Sequence, residues 1–207
     1  DEYVTLTDNT ESYGTVAAGA TAVVPDGFGW EVADNIPDMH NVLFEMTATD
    51  GIDTWTTSFS VEGHAPYIEF GTMEINDTQG NDNGRLDPGE TVDIVIPTYN
   101  SGSYQAMGAI GTLNCMSGFI TINNSTYDFN EIGAGLMEEA VFSVTVAANA
   151  PVGTPVSFIY DVTSGGYYVQ ESFASTIGLI VEDWETGDMS QFDWTTGGNS
   201  NWAVTTN

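Results

Sequence analysis

Residues 2–19 of this 207-residue chain, EYVTLTDNTESYGTVAAG, are echoed by GFITINNSTYDFNEIGAG from Gly118 onward, 116 residues later. Thr5/Thr121, Thr10/Thr126, Ala18/Ala134 and Gly19/Gly135 are identical, and Tyr13/Phe129 keeps aromatic bulk. After a two-residue length difference the match resumes at an offset of 114. Phe28/Phe142, Val32/Val146, Ala33/Ala147, Asn35/Asn149, Pro37/Pro151, Val42/Val156, Phe44/Phe158, Thr49/Thr163, Gly51/Gly165 and Phe59/Phe173 then coincide. The shared positions are apolar residues in alternation and turn residues between them. Period-two alternation turns every second side chain to one face, so it specifies strands and their register. A repeat of this kind requires a duplicated β-sheet unit.

The alignment sets the expected boundaries. The first copy starts in its second half, because residues 65 to about 116 have no counterpart ahead of it. We therefore expect residues 1–64 to be the C-terminal half of a repeat whose front strands lie upstream, and 65–181 to be a complete unit. From 182 to 207 the composition changes, with three of the five tryptophans, and a third module is expected to begin there. Within 65–181 alternation predicts seven strands, at 67–75, 91–99, 109–115, 120–122, 139–147, 156–163 and 167–177. Gly, Asn, Asp and Pro punctuate them every eight to twelve residues, as in an all-β sandwich. No segment carries helical apolar spacing over three turns. The expected fold is all-β: tandem immunoglobulin-like Greek-key sandwiches, the first incomplete, followed by the beginning of a jelly-roll module.

Charge narrows the partners. One Lys or Arg stands against 30 Asp and Glu, a formal net charge of -29. A chain with Arg85 as its one strong base cannot neutralise phosphates or an anionic leaflet, which argues against nucleic acid and against electrostatic membrane docking. Charged residues make up only 15% of the chain, below the roughly 25% of ordinary domains, so the acidity reflects missing bases. High salt, which screens self-repulsion, and surrounding proteases that cut at Lys and Arg are the two pressures that produce such depletion. No apolar run reaches membrane-spanning length, and DEYVTLTDN lacks the features of a signal peptide, so residue 1 is expected to be internal to a longer chain.

The stretch DTQGNDNGRLDPGETVDIVI, from Asp77 to Ile96, carries the one candidate site. With Gly84 at the sixth place of a calcium loop, Asn81 and Asn83 fall at the third and fifth places, the Arg85 carbonyl at the seventh and Glu90 at the twelfth. Short Asn and Asp side chains on alternate residues of a tight turn converge oxygens, which a hard divalent cation needs in numbers of six to eight. Gln79 at the first place is a poor ligand, and Asp77, Asp82 and Asp87 are the acidic replacements within reach. Pro88 and Gly89 deny an exiting helix. A solvated Asn/Gly-rich turn is the competing reading.

Other residues point to no chemistry. Cys115 follows the apolar alternation of its strand and reads as a buried, inert thiol. His40 is replaced by Thr154 in the second copy, and His64 lies in GHAP between the copies. Trp30 and Trp55 read as core or sheet-face residues. Trp184, Trp194 and Trp202 read as core of the third module, with a sugar-stacking platform as the alternative. No nucleophile elbow, HExxH or glycine-rich phosphate cradle occurs.

The order GNDNGRLDPGETVDI, TYNSGSYQA, NNSTYDFNEIGAG and APVGT resembles the immunoglobulin-like accessory modules of gingipain-like cysteine peptidases and related type IX-secreted surface proteins of Bacteroidetes. DWETGDMSQFDW resembles the opening of cleaved-adhesin or MAM-like jelly-roll modules. The resemblance implies a secreted or cell-surface location, a sorting domain beyond these residues, and any peptidase Cys/His pair upstream of residue 1. It leaves three expectations. The first is a non-catalytic, calcium-stabilised spacer or adhesion region that contacts neighbouring domains, other surface proteins or glycans. The second is the accessory region of a gingipain-like peptidase, and the third a surface filament or layer subunit. In none does this portion act as an enzyme or insert in a membrane.

Overall fold

A computed structural model describes residues 1–178 and 197–198 of the chain. The Trp-rich module expected at 182–207, with Trp184, Trp194 and Trp202, lies outside the described residues. Among those described there is no helix, and the strands in chain order are β1 (Val4–Asp8), β2 (Gly29–Val32), β3 (Asn41–Thr49), β4 (Thr54–Glu62), β5 (Ile68–Phe70), β6 (Glu74–Asn76), β7 (Thr91–Asn100), β8 (Ala106–Met107), β9 (Ile110–Cys115), β10 (Ile120–Ile122), β11 (Thr126–Asp128), β12 (Glu131–Ile132), β13 (Met137–Val146), β14 (Pro155–Ser164) and β15 (Tyr167–Thr176).

From residue 65 onward the alternation decides which side chains turn inward. Val92, Ile94 and Ile96 of β7, Ala140, Phe142, Val144 and Val146 of β13, and Val156, Phe158, Tyr160 and Val162 of β14 are all buried. One sheet has the order β10-β13-β7-β5, with β6 also on β7, and the other the order β11-β9-β14-β15. Their inner faces share one apolar core. Phe142 packs edge-on to Tyr160 at 5.7 Å between ring centroids, and Phe70 lies 4.7 Å from the same ring. Each fully buried Phe of this kind contributes roughly 1.5–3 kcal/mol of transfer free energy. This is a β-sandwich of antiparallel sheets.

The single strand expected at 67–75 is two. Pro97 in β7 has no N–H to donate across the ladder, and Gly71 N–H instead donates to the Pro97 carbonyl at 2.7 Å. The register of β5 on β7 (Ile68 opposite Asn100) slips by one residue before β6 (Glu74 opposite Val95). A Cβ at Gly71 would meet the Pro97 ring at 3.0 Å, so a side chain there would crowd the break.

Residues 1–62 form two hairpin-like pairs whose registers repeat those of the sandwich. Val4, Thr5 and Leu6 face Val32, Glu31 and Trp30. Ile120, Thr121 and Ile122 face Val146, Thr145 and Val144 in the same way. Val42 faces Val61 as Val156 faces Ser175. The environments differ sharply: Phe142 is fully buried, whereas Phe28 is 41% exposed. In the sandwich β13 is flanked by β7 and β14 by β9, and β2 and β3 have no such neighbours among the described residues. Trp30 and Trp55, expected as core or sheet-face residues, are sheet-face residues at 42% and 56% exposure. Cys115, expected to be buried, is a free thiol of intermediate burial at the end of β9.

A small second core joins the two parts. Ile36, Val42 and Ala65 are buried together, with Tyr3, Val4, Phe44 and Tyr167 packed around them. Tyr167 donates its hydroxyl to the Ile36 carbonyl at 2.8 Å. Asp38 accepts from the backbone of Ala65 (2.9 Å) and Ser103 (3.0 Å) and from the Ser103 hydroxyl. That hydroxyl lies 2.7 Å from His64 Nδ1. With its proton on Asp38, Ser103 accepts from the imidazole.

Candidate functional site

The Asp77–Glu90 loop leaves β6 and returns to β7 through a bridge from Leu86, which is fully buried, to Ile177. Three residues take the left-handed backbone that such a turn needs, Asp82 (φ 57), Gly84 (φ 73) and Gly89 (φ 87). Asp77 is the organiser. It is 3% exposed, and its carboxylate accepts from the N–H of Asn83 at 2.8 Å and of Gly84 at 3.1 Å. Desolvation pushes this carboxyl up, but the N–H groups of Asn83, Gly84, Asp77 itself and Arg85 outweigh it and hold the pKa below the usual carboxylate value.

Around this frame the sequence-selected side chains separate into two groups. Asn81 and Asn83 converge on Asp87, with amide nitrogens 2.7 and 2.6 Å from the same oxygen, Oδ2. Glu90 approaches from the strand side, where Oε1 accepts the Asn81 N–H at 3.0 Å. Its other oxygen, Oε2, is buried and has no hydrogen-bond partner. A Cβ at Gly80 would run into the Glu90 carboxylate, so glycine there makes room for it. Arg85 and Asp82 are exposed. Among the described residues, no three His, Cys, Asp or Glu side chains stand together as a metal site. Asp77, Asp87 and Glu90 are therefore not gathered into one acidic trio. A cavity of about 500 Å³ opens beside the loop, lined by Asn76, Thr78, Gln79, Glu90 and Asp93 among others.

The donor set fits a hard cation in one respect and resists it in another. Glu90 Oε2 is an orphaned buried oxygen, costly to leave unpaired. Calcium shells draw on amide and backbone carbonyl oxygens and water as well as carboxylates, so an acidic trio is not required. Against this, both Asn amides present nitrogen to Asp87. A half-turn of each terminal amide exchanges nitrogen for oxygen at the same positions, and the two atoms differ in hydrogen-bonding logic, not in shape. Sequence spacing selected Asn81, Asn83, the Arg85 carbonyl and Glu90, with Asp77, Asp82 and Asp87 as acidic replacements. It did not reveal that Asp77 holds backbone amides, for which an Asp four to eight residues ahead of a left-handed Gly was the available signal.

The described residues thus define an all-β protein of antiparallel sheets. No sequence-family model matches the chain, and no curated protein matches it. Among solved structures it is similar to a family 123 glycoside hydrolase from Clostridium perfringens, described in a study of glycolipid glycan hydrolysis. That likeness has a TM-score of 0.33 and 12% identity, over 56% of this chain and 28% of that one. It is also similar to the CsuC-CsuE chaperone-tip adhesion subunit complex of the Csu pili of Acinetobacter baumannii. There the TM-score is 0.29 and the identity 14%, over 52% of this chain and 57% of that one. The match spans less than two thirds of either relative.

Proposed function

We propose that this chain is a non-catalytic spacer or adhesion region of a secreted or cell-surface protein, stiffened by calcium at the Asp77–Glu90 loop. The observation that carries the reading is serial construction. Strand pairs of equal register recur along the chain and are joined by a hydrogen-bonded junction at Asp38 instead of a loose linker. Taking β5 and β6 as strand A and β7, β9, β10, β13, β14 and β15 as B to G, the sheet orders follow the ABED and CFG sheets of immunoglobulin sandwiches, with β11 as an additional strand beside β9. Modules of that type in series hold other domains at a distance.

Calcium would be held by Asp87, Glu90 and the reoriented amide oxygens of Asn81 and Asn83, with water and backbone carbonyls completing the shell. Bound there, it would pair Glu90 Oε2 and tie the loop to β7. A cation that binds only the folded state raises stability by mass action. We expect the melting temperature of the 65–178 sandwich to rise with millimolar calcium and to fall when EGTA is added, read by calorimetry. Glu90→Gln should remove most of that calcium-dependent difference. Identical melting curves with calcium and with EGTA would remove the metal from this reading.

A further inference from the structure

The sandwich shows what closes an inner face of this kind. β7 pairs with β13 over nine residue pairs, and β9 with β14 over six, so residues 65–116 supply the strands that cover the core. Residues 1–62 contain the counterparts of β10, β13, β14 and β15 in matching registers, but nothing equivalent to β5, β7 or β9. Two consequences are visible. The second edges of β2 and β3 have no ladder partner among the described residues. Several side chains at the sandwich's inward positions are also open: Phe28, Trp30, Val32, Met46 and Phe59 are each at least 40% exposed, while Val42 is buried in the second core. Between the two strand pairs lies a cavity of about 230 Å³, walled by Val4, Trp30, Val32, Val42 and Phe44. Trp30 and Phe44 meet at 5.0 Å, and Phe44 stacks on Phe59 at 5.2 Å, so the face is an ordered aromatic floor.

We infer that this open half-sandwich is an acceptor for a polypeptide segment built like residues 65–116, which adds one strand antiparallel to β2 and a second antiparallel to β3. The occupant is read from the chain itself. Matching registers require the donor residue equivalent to Ile94 to fall opposite Phe28, as Ile94 falls opposite Phe142. They put the equivalent of Cys115 opposite Phe44, as Cys115 falls opposite Phe158. Main-chain pairing supplies the affinity, and alternate apolar side chains seated on the aromatic floor supply the selectivity. A donor displaced by one residue would turn its apolar set to solvent. An apolar floor of this size flanked by unpaired edges is otherwise a site of aggregation. The inference rests on residues 1–62 and not on the calcium loop, so either can fail without the other.

The test joins a copy of residues 65–116 ahead of Asp1 of the full chain. Asp1 aligns with Ser117, so this join reproduces the spacing found inside the chain. A second version carries the copy with neighbouring residues exchanged through its two long strands, which inverts the alternation and preserves composition. With the native copy, amide exchange in Gly29–Val32 and Asn41–Thr49 should slow by about tenfold or more, and binding of a hydrophobic dye should fall. The inverted copy should do neither. The inference is overturned if the native copy leaves exchange and dye binding as in the unextended chain, or if the inverted copy protects equally. It is also overturned if the unextended chain sediments as a dimer that Phe59→Asp disperses, because the face would then belong to a second copy.

Discussion

Tyr160 joins the two sheets through a polar contact inside an apolar core. Its hydroxyl lies 2.9 Å from Thr98 Oγ1, and both side chains are fully buried. Burial pushes the phenol well above its usual range, although the Thr98 bond works the other way, so the group stays neutral and can donate. Tyr160→Phe keeps the ring against Phe70 and Phe142 but leaves Thr98 only a long bond to the Ile96 carbonyl at 3.3 Å. An unsatisfied buried hydroxyl costs about 1–3 kcal/mol. The urea midpoint should drop accordingly, and the double change Tyr160→Phe with Thr98→Val should recover part of the loss, because both polar partners are then gone. Asn100 illustrates the same rule without a gap. It is fully buried, donates to the Tyr104 and Ile132 carbonyls and accepts from the N–H groups of Tyr67 and Gly102.

The polar contacts of the junction between the two parts centre on one carboxylate, beside the small apolar core there. Burial raises the pKa of Asp38, but the Ser103 hydroxyl and the N–H groups of Ala65, Ser103 and Met39 favour the ionised form and hold it below its ordinary value of 3.8. A depressed folded-state pKa stabilises above the unfolded value and ceases to do so as pH falls through the folded one. Amide exchange at Ala65 and Ser103 should therefore accelerate as pH drops below about 4, after correction for intrinsic rates. In Asp38→Asn the protection should be weaker at neutral pH and lose that acid step. A local probe is needed because Asp77 and Asp50 are depressed too and move global stability in the same direction.

These contacts mark what was readable in the sequence. Strands β7, β13 and β14 were legible because their alternation follows from burial on one face, and β15 was legible from a weaker pattern that Glu171 interrupts. The break between β5 and β6 was not, since its cause, Pro97, sits on the partner strand. β8 and β12 are two residues long and carry too few positions to show a period. At the loop, spacing within one turn brought Asn81 and Asn83 into view, with Asp87 as an acidic replacement within reach. Asp38 and Ser103 lie 65 residues apart, and no local pattern pairs a carboxylate with a serine over that distance.

Over the whole chain the near-absence of bases has a consequence that joins charge to the loop. Arg85 is the one Lys or Arg, so a trypsin-like enzyme has a single bond to cut, Arg85–Leu86. In the unfolded state cleavage should be rapid and yield only fragments 1–85 and 86–207. In the native state Arg85 is exposed, but its neighbour Leu86 is fully buried and its carbonyl accepts from Gly178 N–H at 2.6 Å. A protease needs several residues extended around the scissile bond, so cutting requires the segment from Asp77 to Glu90 to open while the sandwich stays folded. Such opening is governed by local stability, and cleavage follows its population when reclosing is fast. Calcium held by Asp87 and Glu90 would lower that population. Native cleavage, followed by mass spectrometry, should therefore slow in millimolar calcium and speed up in EGTA, and Glu90→Gln should cut at one rate in both. A wild-type rate unaffected by calcium while the melting temperature still shifts would place the cation elsewhere on this highly acidic surface.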